Sequence, residues 1–169
     1  MKFLFALLLL PLFSTSQTVL TKDGNILYEG KEKITGVSEL EINNRIQHIL
    51  PSLVDNYQID KQSANTVRAR GELKLKTPFN IIRTVHYSIE LKANQNGYEY
   101  LIDSVSFTEQ KRGEKPDTKS SKEVVDNMGK QGAVVGETER LLNETDMQFQ
   151  KLLALLRSGM RKQQIFLKI

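Results

Sequence analysis

The 169-residue chain contains no cysteine. That absence removes thiol nucleophiles, cysteine-based zinc sites and disulfides, so the fold rests on packing alone. Histidine is scarce: only His48 and His86 occur. Neither stands beside a second histidine or a carboxylate at metal-ligand spacing, so no metal and no cofactor are expected. Serines are plentiful, but none sits in a G-x-S-x-G elbow or an S-x-x-K pattern, the motifs that deliver a nucleophile to its base. A block of basic residues is missing too. The 24 Lys and Arg are interleaved with 20 Asp and Glu for a net +4, a balance that points away from nucleic acid and anionic membranes as partners.

The longest apolar run is the N-terminal block Phe3 to Phe13, broken only by Pro11. Its eleven residues fall short of the roughly 20 needed to cross a bilayer. Preceded by Lys2 and followed by Ser14-Thr15-Ser16-Gln17, the block reads as a secretory signal peptide over residues 1–16. The expected destination is the periplasm or the cell exterior, and the absence of cysteine after the block excludes a lipoprotein anchor. Cleavage after Ser16 would leave residues 17–169 as a single domain, with the net charge reduced to +3 by the loss of Lys2.

From Thr66 to Glu109 the chain alternates with the period of strands that have one wet face. Val67, Ala69, Gly71, Leu73 and Leu75 alternate with Arg68, Arg70, Glu72, Lys74 and Lys76. Phe79, Ile81, Val85, Tyr87, Ile89, Leu91 and Ala93 keep the same phase in the next strand. Asn96-Gly97 signals a hairpin turn. After it, Tyr98, Tyr100 and Ile102 lie on one phase and Val105 and Phe107 on the other, which predicts a bulge near Asp103-Ser104. Upstream, a strand at Ile26 to Ile34 follows a turn at Lys22 to Asn25. A helix opens on the capping box Ser38/Glu41 and presents Ile42, Ile46, Ile49, Leu50 and Leu53, with Asn43, Asn44, Arg45 and Gln47 on its wet side. Pro51 predicts a stop or kink near Leu50, and Tyr57-Gln58-Ile59 reads as a short strand. Residues 110–120 read as an exposed loop. A second capping box, Ser120/Glu123, starts a short helix ending at Gly129, and residues 132–136 read as a tight connector. Residues 138–160 form a long C-terminal helix with Leu142, Thr145, Phe149, Leu152 and Leu156 on its buried stripe. The class is α+β: a curved antiparallel sheet of about five strands in the order β-α-β-β-β-β-α-α, with helices on one face.

The wet face of that sheet carries Arg68, Arg70, Lys74, Lys76 and Lys92 against Glu72, Glu90, Glu99 and Asp103. With no aromatic residue among them, cross-strand ion pairing explains these charges better than a phosphate track. His86 falls on the same face as a solvated histidine. Arg83 alone interrupts the inward apolar phase of its strand. With Tyr87 and Tyr100 it makes a candidate lining for a pocket beneath the C-terminal helix. Asn143-Glu144-Thr145 matches a glycosylation acceptor inside that helix.

Thr66-Val67-Arg68-Ala69-Arg70-Gly71-Glu72, Tyr87-Ser88-Ile89-Glu90-Leu91 and Gly97-Tyr98-Glu99-Tyr100, together with the signal segment and the Leu-rich helix, resemble a Bacteroidetes family of exported proteins. That family is a domain of unknown function with a fold like the TATA-box-binding protein (TBP). The resemblance implies the curved sheet with helices on one face, brings no catalytic residue with it, and does not imply DNA binding. The expected function is a non-enzymatic exported module that binds an envelope protein or a small ligand. The alternative is a carrier for a small hydrophobic ligand, with its pocket between sheet and helix.

Overall fold

The period-two alternation becomes the two faces of one antiparallel sheet. The computed structural model describes residues 19–20, 23–75, 81–127 and 133–161. The expected signal segment, the reversal at 76–79 and the helix end at Gly129 lie outside the described residues. The elements are β1 (Val19–Leu20), β2 (Ile26–Lys33), α1 (Glu39–Leu53), β3 (Asp55–Gln62), β4 (Thr66–Leu75), β5 (Ile81–Asn94), β6 (Gly97–Lys111), β7 (Asp117–Ser120), α2 (Ser121–Asp126) and α3 (Ala133–Arg161). The strands run in the order β1-β2-β6-β5-β4-β3, and β7 also pairs with β6. β2 takes Gly97 to Ile102 of β6 and β7 takes Ser106 to Glu109, so the two lie end to end along one edge of that strand.

Val67, Ala69, Val85, Tyr87, Ile89, Leu91 and Ala93 are buried, as their phase predicts. The expected bulge is present: Ser88 pairs with Asp103 and His86 with Ser106, so Ser104 and Val105 together oppose Tyr87. Ser104 adopts φ 53° there. The extra residue reverses the phase of β6, and Tyr98, Tyr100, Ile102, Val105 and Phe107 all end on the buried face.

Several expectations are corrected. The stretch 110–120 is exposed, but it turns into β7 and is not a continuous loop, because β6 offers Ser106 to Glu109 a free edge to pair along. Residues 133–136 form the first turn of α3 and not a connector. α1 runs through Pro51 to Leu53. The proline deprives only the Gln47 carbonyl of its donor, and Gln47 is exposed, so water can serve it. Only half of the first capping box forms: Ser38 Oγ accepts from the Glu41 N–H at 3.2 Å, while the Glu41 carboxylate turns to Arg45 at 3.0 Å. At the second, Ser120 and Glu123 bond reciprocally.

Asn43 and Arg45, placed on the wet side of α1 by their polarity, are both 5% exposed. Asn43 Nδ2 donates to the Ala64 carbonyl at 2.9 Å, and Arg45 Nη1 donates to the Met160 carbonyl at 2.8 Å. The last carbonyls of a helix lack partners within it, and Arg45 supplies one to α3. Arg45→Met should keep the packing volume, strand that carbonyl and lower the unfolding free energy by about 2–3 kcal/mol. Urea denaturation measures this, and a change below about 0.5 kcal/mol would show that the cap carries no weight.

α3 lies across the sheet with its apolar stripe down: Phe149, Leu152, Leu153, Leu156 and Met160 are each at most 4% exposed. Burial of each such side chain contributes roughly 1.5–3 kcal/mol. Ion pairs fix both ends. Near the start, Glu137 meets Arg83, which also bonds Glu109 at 2.7 Å. Near the finish, Arg157 meets Glu32 at 2.6 Å. Both charges have the sign that the helix dipole favours at its own end.

Candidate functional site

The face without helices is not flat. A second bulge lies in β3: Asp55 pairs with Glu72 and Gln58 with Arg70, so Asn56 and Tyr57 together oppose Gly71. Gly71 pairs in turn with Tyr87, the residue facing the β6 bulge. The two irregularities therefore fall on a single row crossing β3, β4, β5 and β6. Asn56 and Ser104, with φ 53° each, are the only non-glycine residues of positive φ among those described, and both belong to this row. Such conformations are disfavoured for residues with a Cβ and persist only where the surroundings enforce them.

In this row Tyr87 and Val105 turn their side chains toward the helices and Gly71 has none, so the open face presents mostly backbone there, flanked by two polar rows. The result is a transverse groove of about 660 Å³, lined on one side by Gln58, Arg70 and Ser88 and on the other by Glu72, His86 and Ser106. Gly71 is required at its floor. A Cβ there would lie 2.2 Å from Val54 Cγ1 and 2.9 Å from the Tyr87 hydroxyl. Tyr57 closes one end, and partial burial raises its phenol pKa.

One wall is a chain of hydrogen bonds crossing five strands. Asn56 Nδ2 donates to Glu72 Oε2, and Glu72 Oε1 stands 3.1 Å from His86 Nδ1. His86 Nε2 lies 2.9 Å from Thr108 Oγ1, which lies 2.9 Å from Thr118 Oγ1. A neutral His86 that donates from Nδ1 to the carboxylate accepts from the Thr108 hydroxyl at Nε2. The expectation of a simply solvated histidine is therefore corrected: its partners sit opposite it on neighbouring strands. The order carboxylate, imidazole, hydroxyl matches that of a nucleophilic triad. β6 is paired with β5 and β7 at the Thr108 row, however, so its backbone N–H groups are committed to the ladder and none is left to stabilise an oxyanion. The arrangement fixes the orientation of these polar groups on the open face.

The wet-face charges pair in part as expected, Arg68 within the set and Arg70 and Glu99 with residues outside it. Arg68 bonds Glu90 and Asp103, Arg70 bonds Asp60 at 2.7 Å, and Lys31 bonds Glu99 at 2.8 Å. The Lys31 ammonium holds the Glu99 carboxyl below its usual range.

Arg83, Tyr87 and Tyr100 do not come together. Arg83 lines a separate cavity of about 200 Å³ beneath the start of α3, with Phe107, Val124, Thr138 and Leu141. Desolvation works against the Arg83 charge, but hydrogen bonds to Glu137 and Glu109 more than offset it, so its pKa stands above the ordinary value. The same contact holds the Glu137 carboxyl low. Tyr87 is four residues along β5, about 13 Å away. Its ring meets Phe149 edge-on at 5.2 Å, while its backbone belongs to the groove floor. Tyr100 packs where Gly30 leaves room, since a Cβ on Gly30 would lie 2.5 Å from the Tyr100 hydroxyl. Arg157 reaches that hydroxyl at 3.4 Å. Thr145 of the glycosylation motif is fully buried and donates to the Leu141 carbonyl at 2.7 Å. Sequence reasoning missed the groove itself. The phase reversal in β6 reported one of its bulges, and nothing apolar in β3 reported the other.

No family profile and no curated protein matches the chain. Solved structures do. A TBP-like protein from Parabacteroides distasonis is similar to it with a TM-score of 0.68 at 16% identity, over 84% of this chain and 96% of the other. A DUF4468 family protein from Bacteroides ovatus is similar with a TM-score of 0.62 at 14% identity, over 83% of this chain and 88% of the other. At such identities the likeness speaks for fold and not for function. In fold the chain is thus TBP-like, as the resemblance in its sequence implied: an α+β protein with an open antiparallel sheet, similar to Bacteroidetes proteins whose names assign no activity.

Proposed function

We propose that the chain is an exported, non-enzymatic binding module of the bacterial envelope, and that it binds through the transverse groove on its open sheet face. The observation carrying this reading is the alignment of two bulges on one row, each holding a non-glycine residue at positive φ. Bulges re-aim side chains and end pairing next to functional sites, and strained backbone concentrates at such sites. Export is supported by Lys2, the apolar block and the small residues before Gln17. Among the described residues no helix is long and apolar enough to cross a membrane.

The carrier reading rests on the cavity beside Arg83. Its volume of about 200 Å³ is below the roughly 300–1,000 Å³ of typical small-molecule sites. An arginine and its carboxylate partners at its wall suit an apolar guest poorly.

The test has two readouts on one protein. Expressed in a Bacteroidetes host, the chain should be recovered outside the cytoplasm beginning at Gln17. With a soluble envelope extract added to the isotope-labelled chain, amide shifts should concentrate at residues 56–58, 70–72, 86–88 and 104–106. An unprocessed cytoplasmic chain would overturn export. Shifts centred on Phe107 and Leu141 would transfer the role to the cavity, and turnover of a component of the extract would replace binding with catalysis.

A further inference from the structure

The groove's chemistry selects among ligand classes, and an inference from it rests on the reading that the groove binds. The formal charges of its lining balance, Arg70 against Glu72, and each is already bonded, Arg70 to Asp60 and Glu72 to Asn56 and His86, so neither a polyanion nor a polycation finds a net complement. Its lining includes no aliphatic side chain, which removes the pockets that an apolar peptide side chain or a lipid tail would need. What remains is polar and neutral, and it has spare capacity. Among the described residues the side chains of Gln58, Ser88, Ser104 and Ser106 bond to no other protein group. Ser88 is the telling one. Only 6% of the residue is exposed, yet it lines the groove and its hydroxyl bonds to no protein group, which leaves that oxygen facing the groove.

Hydroxyls and a primary amide each donate and accept. A ligand that only accepts, such as a carboxylate, or only donates, such as an ammonium, uses half of that capacity. A ligand built of hydroxyls uses all of it. The bulges add backbone groups, because the extra residue in each is left outside the ladder. Crossing four strands at about 4.8 Å spacing, the groove is roughly 14 Å long and takes about three pyranose rings.

We propose that the groove binds a neutral oligosaccharide laid across strands β3 to β6, with sugar hydroxyls on Gln58, Ser88, Ser104 and Ser106.

Titration of the isotope-labelled chain with cellohexaose, laminarihexaose, mannohexaose and chitohexaose tests this, with a heparin hexasaccharide and an uncharged decapeptide as comparators. At least one neutral sugar should shift the amides at 56–58, 70–72, 86–88 and 104–106. Ser106→Trp, which fills the groove from the open face, should weaken that binding tenfold or more, and Lys92→Ala, outside it, should leave it unchanged. Wild-type amide dispersion in Ser106→Trp confirms that the variant is folded, and Gln58→Ala provides a second, smaller loss. Failure of all four sugars overturns the saccharide assignment. If heparin or the peptide shifts the groove instead, the groove still binds and only the ligand class falls. If every probe spares the groove while envelope extract shifts residues elsewhere, the binding site falls with it.

Discussion

Phe149→Ala should lower the unfolding free energy by about 3–5 kcal/mol, the range for emptying a buried phenylalanine site. Phe149 is fully buried at the middle of α3. Its ring stands 4.9 Å from that of Tyr28, tilted by 53°, and 5.2 Å from that of Tyr87 at 86°. Aromatic pairs in such geometry contribute about 0.5–1.5 kcal/mol each beyond area burial. The site is hard to close by collapse. Both neighbouring rings are rooted in the sheet, and α3 is held at its two ends by Glu137 to Arg83 and Arg157 to Glu32. A domain of this size is stable by only about 5–15 kcal/mol, so the variant loses a fifth or more of its margin. Urea denaturation should show a lower midpoint with an unchanged slope. Met147→Ala, two residues away on the exposed side of the helix, should stay within about 0.5 kcal/mol of the parent. A loss below about 1 kcal/mol at Phe149 would mean that α3 does not close the sheet as described.

That substitution also links the two faces of the sheet. Tyr87 places its ring under Phe149 and its backbone on the groove floor. The Gly71 that faces it admits no Cβ, with Val54 and the Tyr87 hydroxyl already in place. Helix packing on one side therefore holds the row where the two bulges open the other side. A surface built on a core-supported row keeps its geometry better than one built on loops.

How much of this the sequence reveals depends on what kind of interaction makes each element. β4, β5 and β6 are driven by burial of one face, and burial leaves a period in the residues, so the strands and even the β6 bulge are legible from phase alone. β7 buries nothing. Asp117, Thr118, Lys119 and Ser120 are all exposed and pair only because β6 has an edge for them, so they read as loop. Asn43 and Arg45 mislead in the opposite sense: polarity placed them in water, whereas they serve carbonyls of Ala64 and Met160, partners that no local pattern exposes. The Glu72 to His86 contact depends on register, and a register is fixed by turn geometry and not by either residue. Arg83 is the instructive case. Its break in the inward phase marks a pair of carboxylate partners, Glu109 on the neighbouring strand and Glu137, which anchors α3. Grouping it with Tyr87 and Tyr100 failed because a shared phase guarantees a shared face but not a shared place along it.

Above about pH 10 the protein should lose stability through two tyrosines in particular. Tyr87 and Tyr98 are 2% and 1% exposed, and their hydroxyl groups have no hydrogen-bond partner. Burial raises both phenols far above the ordinary tyrosine value of about 10, with a smaller contribution from Asp55 at Tyr87 and from Glu32 at Tyr98. An acid whose pKa is raised on folding keeps its proton in the native state while the unfolded chain gives it up. Its contribution to stability is therefore whole below the unfolded pKa and declines as pH rises from there toward the folded value. The decline is about 1.4 kcal/mol per pH unit for each phenol, so roughly 3 kcal/mol is gone by about pH 11. Urea denaturation at about pH 8.5 and about pH 11 measures it. Tyr87→Phe with Tyr98→Phe should flatten the decline, because neither ring then has a proton to lose. At neutral pH the same double variant should be at least as stable as the parent, since each substitution removes a buried hydroxyl that bonds to nothing and leaves no partner stranded. An alkaline slope unchanged in the double variant would locate the loss elsewhere. A double variant destabilised at neutral pH would show that the two hydroxyls have partners in solution after all.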